Sequence, residues 1–370
     1  MIPTFAKVLA PMVRERWNRT TSRSKILTAL ETLGIGTVGG LLFLWAHLPG
    51  GLITGAMIAT GIAAIAGRPL AVPPIVTQAV LVVLGISIGS VVSRDLVQHV
   101  SAYPFTIAML AGATFCATFG SSLYLQRVHG WDRTSAFLAG SPGAMGQITI
   151  LAVERGADLP AIAVVQTMRV IILTAALPMV LALTGAAPAA SSSSLTLTVA
   201  PPWHLVALVA ASLALALILR ILKFPASWMF GAMIASSVLH GAGLVDGGVP
   251  PWVRSVSLVG IGSLIGARFA RMKVRVLAGH INAALGSFAV AILVTGVFVG
   301  IIALTTHVRL SDVVVAFAPG AMDAMLALAL TLHIDPIFVG AHHLSRFVFV
   351  TIATPGIVHL FGRTQDDVDD

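Results

Sequence analysis

Long uninterrupted apolar segments limit what this chain can fold into more than any other feature of its sequence. Twelve such segments, most of them near the roughly 20 residues that a membrane-crossing helix needs, are separated by short polar joints. Hydrophobic residues make up 57% of the chain and charged residues 10%, whereas a soluble domain carries about 25% charged residues. This composition excludes a soluble enzyme, a disordered protein and a free DNA-binding regulator. Because the apolar runs are continuous rather than alternating, we predict an all-α polytopic membrane protein and not a barrel.

The segments fall into two groups of six, separated by a stretch without charged residues. Between Gly185 and Pro202 the chain contains four consecutive serines, which is typical of a flexible linker. The segments lie at about 26–46, 50–67, 73–93, 102–126, 133–154 and 160–183 before this linker, and at about 203–222, 227–242, 251–270, 279–305, 311–332 and 336–361 after it.

The two ends of the chain differ in charge from the segments between them. The first residues are rich in arginine and lysine, which predicts a cytoplasmic N-terminus rather than a cleaved signal peptide. The predicted organisation is a basic cytoplasmic N-terminal segment (1–25), a first membrane repeat (26–184), an Ala/Ser/Pro linker (185–202), a second membrane repeat (203–361) and an acidic tail (362–370).

The two groups of segments are copies of one another. Gly55-Ala-Met-Ile-Ala59 recurs 176 residues later as Gly231-Ala-Met-Ile-Ala235. After one inserted residue the spacing becomes 177 and persists, so that Pro142-Gly143-Ala144-Met145 matches Pro319-Gly320-Ala321-Met322. Chance does not maintain one register over more than about a hundred residues, so the sequence indicates an internal duplication.

Small residues recur at the spacing that brings membrane helices together. Glycines four positions apart let two backbones approach closely, and we expect helix–helix contact at Gly36/Gly40, Gly85/Gly89, Gly262/Gly266 and Gly296/Gly300. The single cysteine, Cys116, excludes a disulfide within the chain and is expected to pack in the interior.

The charged joints indicate that the two repeats cross the membrane in opposite directions. Four basic residues lie between positions 268 and 275, whereas the equivalent joint of the first repeat holds Arg94 beside Asp95, whose charges cancel. The positive-inside rule then places equivalent joints on opposite sides. Inverted repeats need an odd number of crossings each, so one segment of each six does not cross. We assign this role to 133–154 and 311–332, because a Pro-Gly pair breaks each of them.

The two Pro-Gly breaks are the predicted binding site. Breaks inside a membrane persist only where they line a cavity or are buried in protein, and the half-helix that follows points its N–H groups toward that place. Asp323 lies in the first turn of such a half-helix, where it either caps the helix or binds a cation or a proton. Gln147 cannot exchange protons and is expected only to form hydrogen bonds. The residues assigned to the site are Pro142, Gly143, Gln147, Pro319, Gly320 and Asp323.

Two arginines extend this site. Arg169 and Arg346 each lie about ten residues into an apolar segment, where an arginine costs roughly 2.5–3.5 kcal/mol and needs a partner. Either they neutralise the carbonyl end of a broken helix or a carboxylate, for which Asp323 and Glu31 are candidates, or they hold an anionic substrate.

A histidine pair precedes the second arginine. His343 aligns with Gln166, and both lie one helical turn before their arginine, on the same face. His343 serves either in proton transfer or in a packed hydrogen bond, and the same alternatives apply to His342. No carboxylate–histidine cluster surrounds the pair, so we expect no metal site.

These motifs carry a family resemblance. The duplicated halves, each with a Pro-Gly break followed by Gln-x-x-Arg or His-x-x-Arg, resemble the AbrB-duplication family of bacterial integral membrane proteins over about 26–361. The family motif is Pro-Gly-Gly, then Leu or Met, a small residue and an acid. Here Ala144 and Ala321 replace the second glycine, and Gln147 and Ala324 stand at the acid position, with Asp323 just before it. The first repeat therefore lacks the titratable group.

The resemblance implies a multi-pass protein of the bacterial cytoplasmic (inner) membrane. Members are labelled AbrB family transcriptional regulators or ammonia monooxygenases. We expect a secondary transporter of a small solute or ion that uses the paired broken helices at the bilayer midplane. The first alternative is a membrane-embedded sensor that influences gene expression through partners, and the second is a monooxygenase, which no residues support. We expect no enzymatic activity, no cofactor and no direct contact with nucleic acid, and the chain is compatible with a homo-oligomer.

Labelling of a single cysteine in the linker tests the inverted arrangement. With Cys116→Ser and Ser192→Cys, we expect a membrane-impermeant maleimide to label intact cells, because an odd number of crossings carries the linker outside. Labelling that requires lysis, with expression confirmed, would show that the repeats are parallel.

Overall fold

The computed structural model is built almost entirely of α-helices. The described ranges contain fourteen α-helices, one 3₁₀ helix and no β-strand, which confirms the all-α prediction. Most of the predicted linker and most of the predicted N-terminal segment lie outside the described residues. The whole acidic tail and Gly143 also lie outside them. The described residues are 22–90, 103–142, 145–185, 199–272 and 274–361.

Each repeat contributes seven α-helices, and each helix of the second repeat corresponds to the one seven places earlier. A proline in the first turn begins α3, α8 and α10, where its fixed φ suits the helix and its missing N–H is not needed. The first repeat contains α1 (Ser22–Trp45), α2 (Gly51–Ile65), α3 (Pro74–Gly89), α4 (Tyr103–His129), α5 (Arg133–Gly140), α6 (Met145–Glu154) and α7 (Leu159–Leu183). The second contains α8 (Pro202–Ile221), α9 (Ser227–Gly241), α10 (Pro251–Gly266), α11 (Val274–Thr305), α12 (Leu310–Phe317), α13 (Met322–Thr331) and α14 (Pro336–Phe361).

Seven of these helices are long and apolar enough to cross a bilayer. They are α1, α4, α7, α8, α10 with its 3₁₀ extension, α11 and α14. The helix α11 buries only 17% of its most apolar window, so most of its apolar side chains face outward. Such a surface suits lipid and not water, and the multi-pass membrane prediction is confirmed at this level.

The two Pro-Gly segments are both broken into a pair of short helices. In the first repeat α5 ends at Gly140 and α6 begins at Met145, and in the second α12 ends at Phe317 and α13 begins at Met322. The residue before each proline is extended, with ψ of 120° at Ser141 and 126° at Ala318, because the proline ring disfavours the helical conformation there.

The second break lies inside the protein. Phe317 is 1% exposed and Ala318 is 4% exposed, and every residue from 324 to 329 is fully buried. The surrounding apolar cluster, the largest one, includes side chains of α2, α3, α10 and α14. Protein atoms therefore surround the irregular backbone, as a membrane interior requires.

Glycines join the two repeats through equivalent contacts. A Cβ on Gly85 of α3 would lie 2.4 Å from the Met229 carbonyl oxygen of α9, and a Cβ on Gly262 of α10 would lie 2.3 Å from the Ile53 carbonyl oxygen of α2. These contacts exchange under the repeat spacing, because Gly262 is the copy of Gly85 and Met229 is the copy of Ile53. The repeats are thus related by an approximate two-fold axis.

The helices α4 and α11 show that the two-fold relation makes equivalent helices run in opposite directions. They are copies of one another, yet early residues of α4 meet late residues of α11. Gly112 faces Phe298, and the Ser121 hydroxyl donates to the Ser287 carbonyl over 3.0 Å. Tyr124, still later in α4, lies against Gly286. Equivalent candidate spans are therefore antiparallel, which is the geometry that inverted repeats require.

Two expectations about small residues are wrong. A Cβ on Gly296 or Gly300 would meet no atom within 4 Å, so this pair forms no close helix contact with the described residues. Cys116 is exposed on α4 and does not pack in the interior. Spacing alone does not reveal which face of a helix has a neighbour.

A pair of alanine substitutions tests the glycine interface. We expect Gly262→Ala to lower the free energy of unfolding by about 1–3 kcal/mol, because the added Cβ collides with backbone that cannot move alone. The matched control, Gly296→Ala, has open space and should leave stability equal or slightly higher. Thermal unfolding of both variants in detergent measures the difference, and equal losses would contradict the interface.

Candidate functional site

Arg346 bridges the second break. It projects from α14, and its Nη1 donates to the carbonyl oxygens of Ala318 at 2.7 Å and Phe317 at 3.4 Å, while Nη2 donates to that of Gly320 at 3.4 Å. Helix α12 leaves these carbonyls without helical partners. A cation at a helix C-terminus also meets the negative end of the helix dipole. Arg346 therefore stabilises the carbonyl end of the broken helix.

His343 fixes the orientation of that arginine. Its Nε2 lies 3.1 Å from the Val315 carbonyl oxygen and its Nδ1 lies 2.6 Å from Nη2 of Arg346. A carbonyl can only accept and an arginine can only donate, so Nε2 carries the proton and Nδ1 accepts. A second proton on Nδ1 would oppose the arginine N–H. Of the two alternatives for His343, this geometry favours the packed hydrogen bond over proton transfer.

The first repeat holds the equivalent arrangement at its own break. Gln166 donates from Nε2 to the Leu138 carbonyl at 3.0 Å, and Arg169 donates from Nη2 to the Ala139 carbonyl at 3.0 Å. Leu138 is the copy of Val315, so Gln166 and His343 bind equivalent carbonyls. The end of α5 is held close to α4, since a Cβ on Gly140 would lie 2.9 Å from the Thr118 oxygen.

The two arginines differ in how fully they are bonded. Three carbonyl oxygens and an imidazole nitrogen surround the guanidinium of Arg346. For Arg169, the described residues supply the single Ala139 carbonyl, and its Nε is buried without a partner. The side chains are 2% and 4% exposed for Arg169 and Arg346, so both charges are buried.

No carboxylate neutralises either arginine in the described part of the chain. Glu31, one of the two predicted partners, pairs instead with Arg68 at 3.4 Å. The other, Asp323, forms no ion pair with a described residue. Of the predicted partners, the described residues therefore show the carbonyl end of the broken helix and not a carboxylate.

Asp323 lies in the first turn of α13 and has no ion-pair partner among the described residues. It is half-buried, and the N-cap of this helix, Ala321, has no side chain that could cap it. Among the described residues no donor to the Asp323 carboxylate is found. Pro319 and Gly320, just before it, are buried, as is Pro142 in the other repeat. The side chain of Gln147 is outside the described set.

His342 forms a second polar contact that spacing could not predict. It is fully buried, its Nδ1 donates to the Phe338 carbonyl at 2.7 Å, and its Nε2 lies 2.8 Å from the Thr106 hydroxyl of α4. Thr106 is 236 residues away along the chain. This contact joins the two repeats, and the copies of its residues are Val165 in the first repeat and Ala283 in the second. Neither copy has a polar side chain, so the contact occurs once.

Charged residues hold the starts of α12 and α14 together. Arg309 pairs with Asp312 at 2.9 Å, and Asp312 accepts from the backbone N–H of Asp335 at 3.3 Å. Asp335 in turn accepts from the Ile337 and Phe338 N–H groups of α14. Burial raises the pKa of the Asp335 carboxyl above its ordinary value, although these N–H bonds act in the opposite direction.

The sequence between α2 and the end of α14 identifies the family. The sequence model of the family described as "Transition state regulatory protein AbrB" matches residues 52–362. This range contains both breaks and both arginines. The chain belongs to the AbrB family. The resemblance predicted from the Pro-Gly motifs is confirmed.

Two curated relatives cover most of the AbrB-family chain. "Uncharacterized protein YhjN" of Bacillus subtilis (strain 168) is 26% identical over 306 residues, which are 77% of this chain and 79% of that protein. "Putative regulator AbrB" of Escherichia coli (strain K12) is 25% identical over 328 residues, which are 85% of this chain and 91% of that protein. No solved structure gives a significant match.

Two substitutions at the second break separate the charge of Arg346 from the support of His343. We expect Arg346→Gln to lower the free energy of unfolding by about 2–4 kcal/mol, because buried carbonyls lose their donor. His343→Gln recreates the Gln166 arrangement and should lower it by less than about 1 kcal/mol. Thermal unfolding in detergent, followed by tryptophan fluorescence, measures both. A larger loss for the histidine variant would contradict this assignment.

Proposed function

We propose that this AbrB-family chain is a secondary transporter that moves a small solute across the bacterial inner membrane. The observation that carries the proposal is the pair of broken helices at equivalent positions in repeats whose equivalent spans, α4 and α11, are antiparallel. In transporters built of inverted repeats, substrate and coupling ions bind where such breaks meet, because the helix ends present backbone groups and dipoles to the site.

Asp323 is the proposed coupling group. A half-buried carboxylate beside a helix break, without a partner among the described residues, can bind a cation or accept a proton. Its copy in the first repeat is Gly146, and the following position, Gln147, cannot titrate. The chain would therefore couple one cation or proton at one such site in each transport cycle.

The remaining site residues hold the two breaks in place around the substrate. The prolines of the breaks, Pro142 and Pro319, together with Gly320, keep the backbone unwound there. Arg169, Arg346 and His343 secure the ends of α5 and α12. Two similar repeats can exchange their conformations, which gives inward-facing and outward-facing states of nearly equal energy and hence alternating access.

The location and the partners in this proposal are those expected from the sequence. The N-terminus is cytoplasmic, the chain has no enzymatic activity or cofactor, and it contacts lipid and solute but not nucleic acid. Subunit association as a homo-oligomer is compatible with the outward apolar face of α11.

A sensor that binds the same solute without transporting it is the second candidate. The name "Putative regulator AbrB" of the Escherichia coli relative favours it. Such a protein would place ligand between the breaks and pass the change to partners through its cytoplasmic surface. Binding without flux is the property that separates the two candidates.

Uptake into proteoliposomes tests the transporter and the role of Asp323 together. We expect purified wild-type protein to accumulate at least one labelled compound from a panel of carboxylic acids, amino acids, sugars and amines, driven by an imposed proton or sodium gradient. Asp323→Asn should reduce gradient-driven uptake by about tenfold or more, since the amide cannot take up the coupling cation.

A second aspartate provides the matched control. Asp158→Asn changes a carboxylate that only caps α7 through the Ala161 N–H, and asparagine caps equally well, so uptake should be unchanged. Unchanged uptake by folded Asp323→Asn protein would remove Asp323 from the mechanism. Binding without uptake for every compound would favour the sensor.

A further inference from the structure

The two equivalent arginines differ in the number of hydrogen bonds that their guanidinium groups form. Arg346 donates to three carbonyl oxygens and to His343, which leaves little of its guanidinium free. Arg169, in the same position of the other repeat, finds one carbonyl among the described residues for its five N–H donors. Its Nε–H is buried with no partner, although the side chain is only 2% exposed. A buried charged donor without an acceptor is costly unless a ligand supplies one.

The charge balance around the arginines is positive. Both guanidinium groups lie in the interior, and no described carboxylate pairs with either. The carbonyl ends of α5 and α12 contribute only about half a negative charge each. The described residues therefore give neither guanidinium a carboxylate partner, in a place where the penalty for an unpaired charge is large.

We propose that Arg169 binds an anionic substrate, a small carboxylate or inorganic oxyanion, and that Arg346 is a positioning residue held by its helix end. The proposal rests on the transporter or sensor function above and names the chemical class of its ligand. The planar guanidinium offers parallel N–H donors that match two oxygens of a carboxylate, so the unbonded edge of Arg169 suits this ligand.

Binding measured without transport tests the proposal on the intact protein. Isothermal titration calorimetry in detergent, at constant ionic strength, uses acetate, succinate and inorganic phosphate as probes, with chloride as the background salt. We expect wild-type protein to bind at least one of the three. Binding of acetate or succinate identifies a carboxylate site, and binding of phosphate alone identifies an inorganic oxyanion site.

Variants assign the binding to Arg169. Arg169→Gln should weaken binding by at least tenfold, and Arg169→Lys, which keeps the charge but loses the planar donors, should weaken it by a smaller factor. The exposed Arg220→Gln, which removes a guanidinium far from both breaks in sequence, should bind like wild type. If Arg169→Gln does not fold, the lysine variant carries the test.

The outcomes separate this inference from the proposed function. Uptake of a neutral or cationic compound without binding of any of the three anions would overturn the anion site and leave the transporter intact. Anion binding without flux would support the anion site and favour the sensor. Equal affinity in wild type and both folded Arg169 variants would overturn the assignment to Arg169.

Discussion

Helix ends inside a membrane need partners, and in this chain arginines on neighbouring helices supply them. The helices α5 and α12 stop before a proline, where their last carbonyls have lost the next turn. Arg169 and Arg346 reach those carbonyls from equivalent positions on α7 and α14. A broken helix and a buried cation are each costly alone, and here each satisfies the other. This mutual dependence explains why both features occur together in both repeats.

A rigid frame of closely packed helices surrounds this arrangement. At Gly85 and Gly262 the backbones of paired helices approach so closely that any side chain would collide with a carbonyl. Without a hydrophobic driving force between helices in lipid, such contact supplies much of the association energy. Within this frame the two breaks are irregular backbone, and Asp323 lies in the first turn of the helix that follows the second break.

The sequence predicts the parts of this structure that depend on local chemistry. Apolar length and helix-breaking residues located the helices, and the Pro-Gly pairs located both breaks. The sequence could not identify the partner of Arg346, because a carboxylate such as Glu31 and the carbonyl end of a helix can both neutralise a cation. In the structure Glu31 pairs with Arg68 instead. The contact between His342 and Thr106 left no signal, since it joins distant segments and its copy would pair the apolar Val165 with Ala283.

The two repeats pack on each other as the two protomers of a symmetric dimer do, with helices from both in each interface. Because α2 packs on α10 and α3 on α9, each repeat supplies half of each glycine interface and neither can complete one alone. A single-repeat ancestor would have covered the same surfaces by pairing with a second copy inserted upside down. With both copies in one chain, they need not be identical. Val165 and His342, at one and the same position of the ancestral repeat, show such a difference.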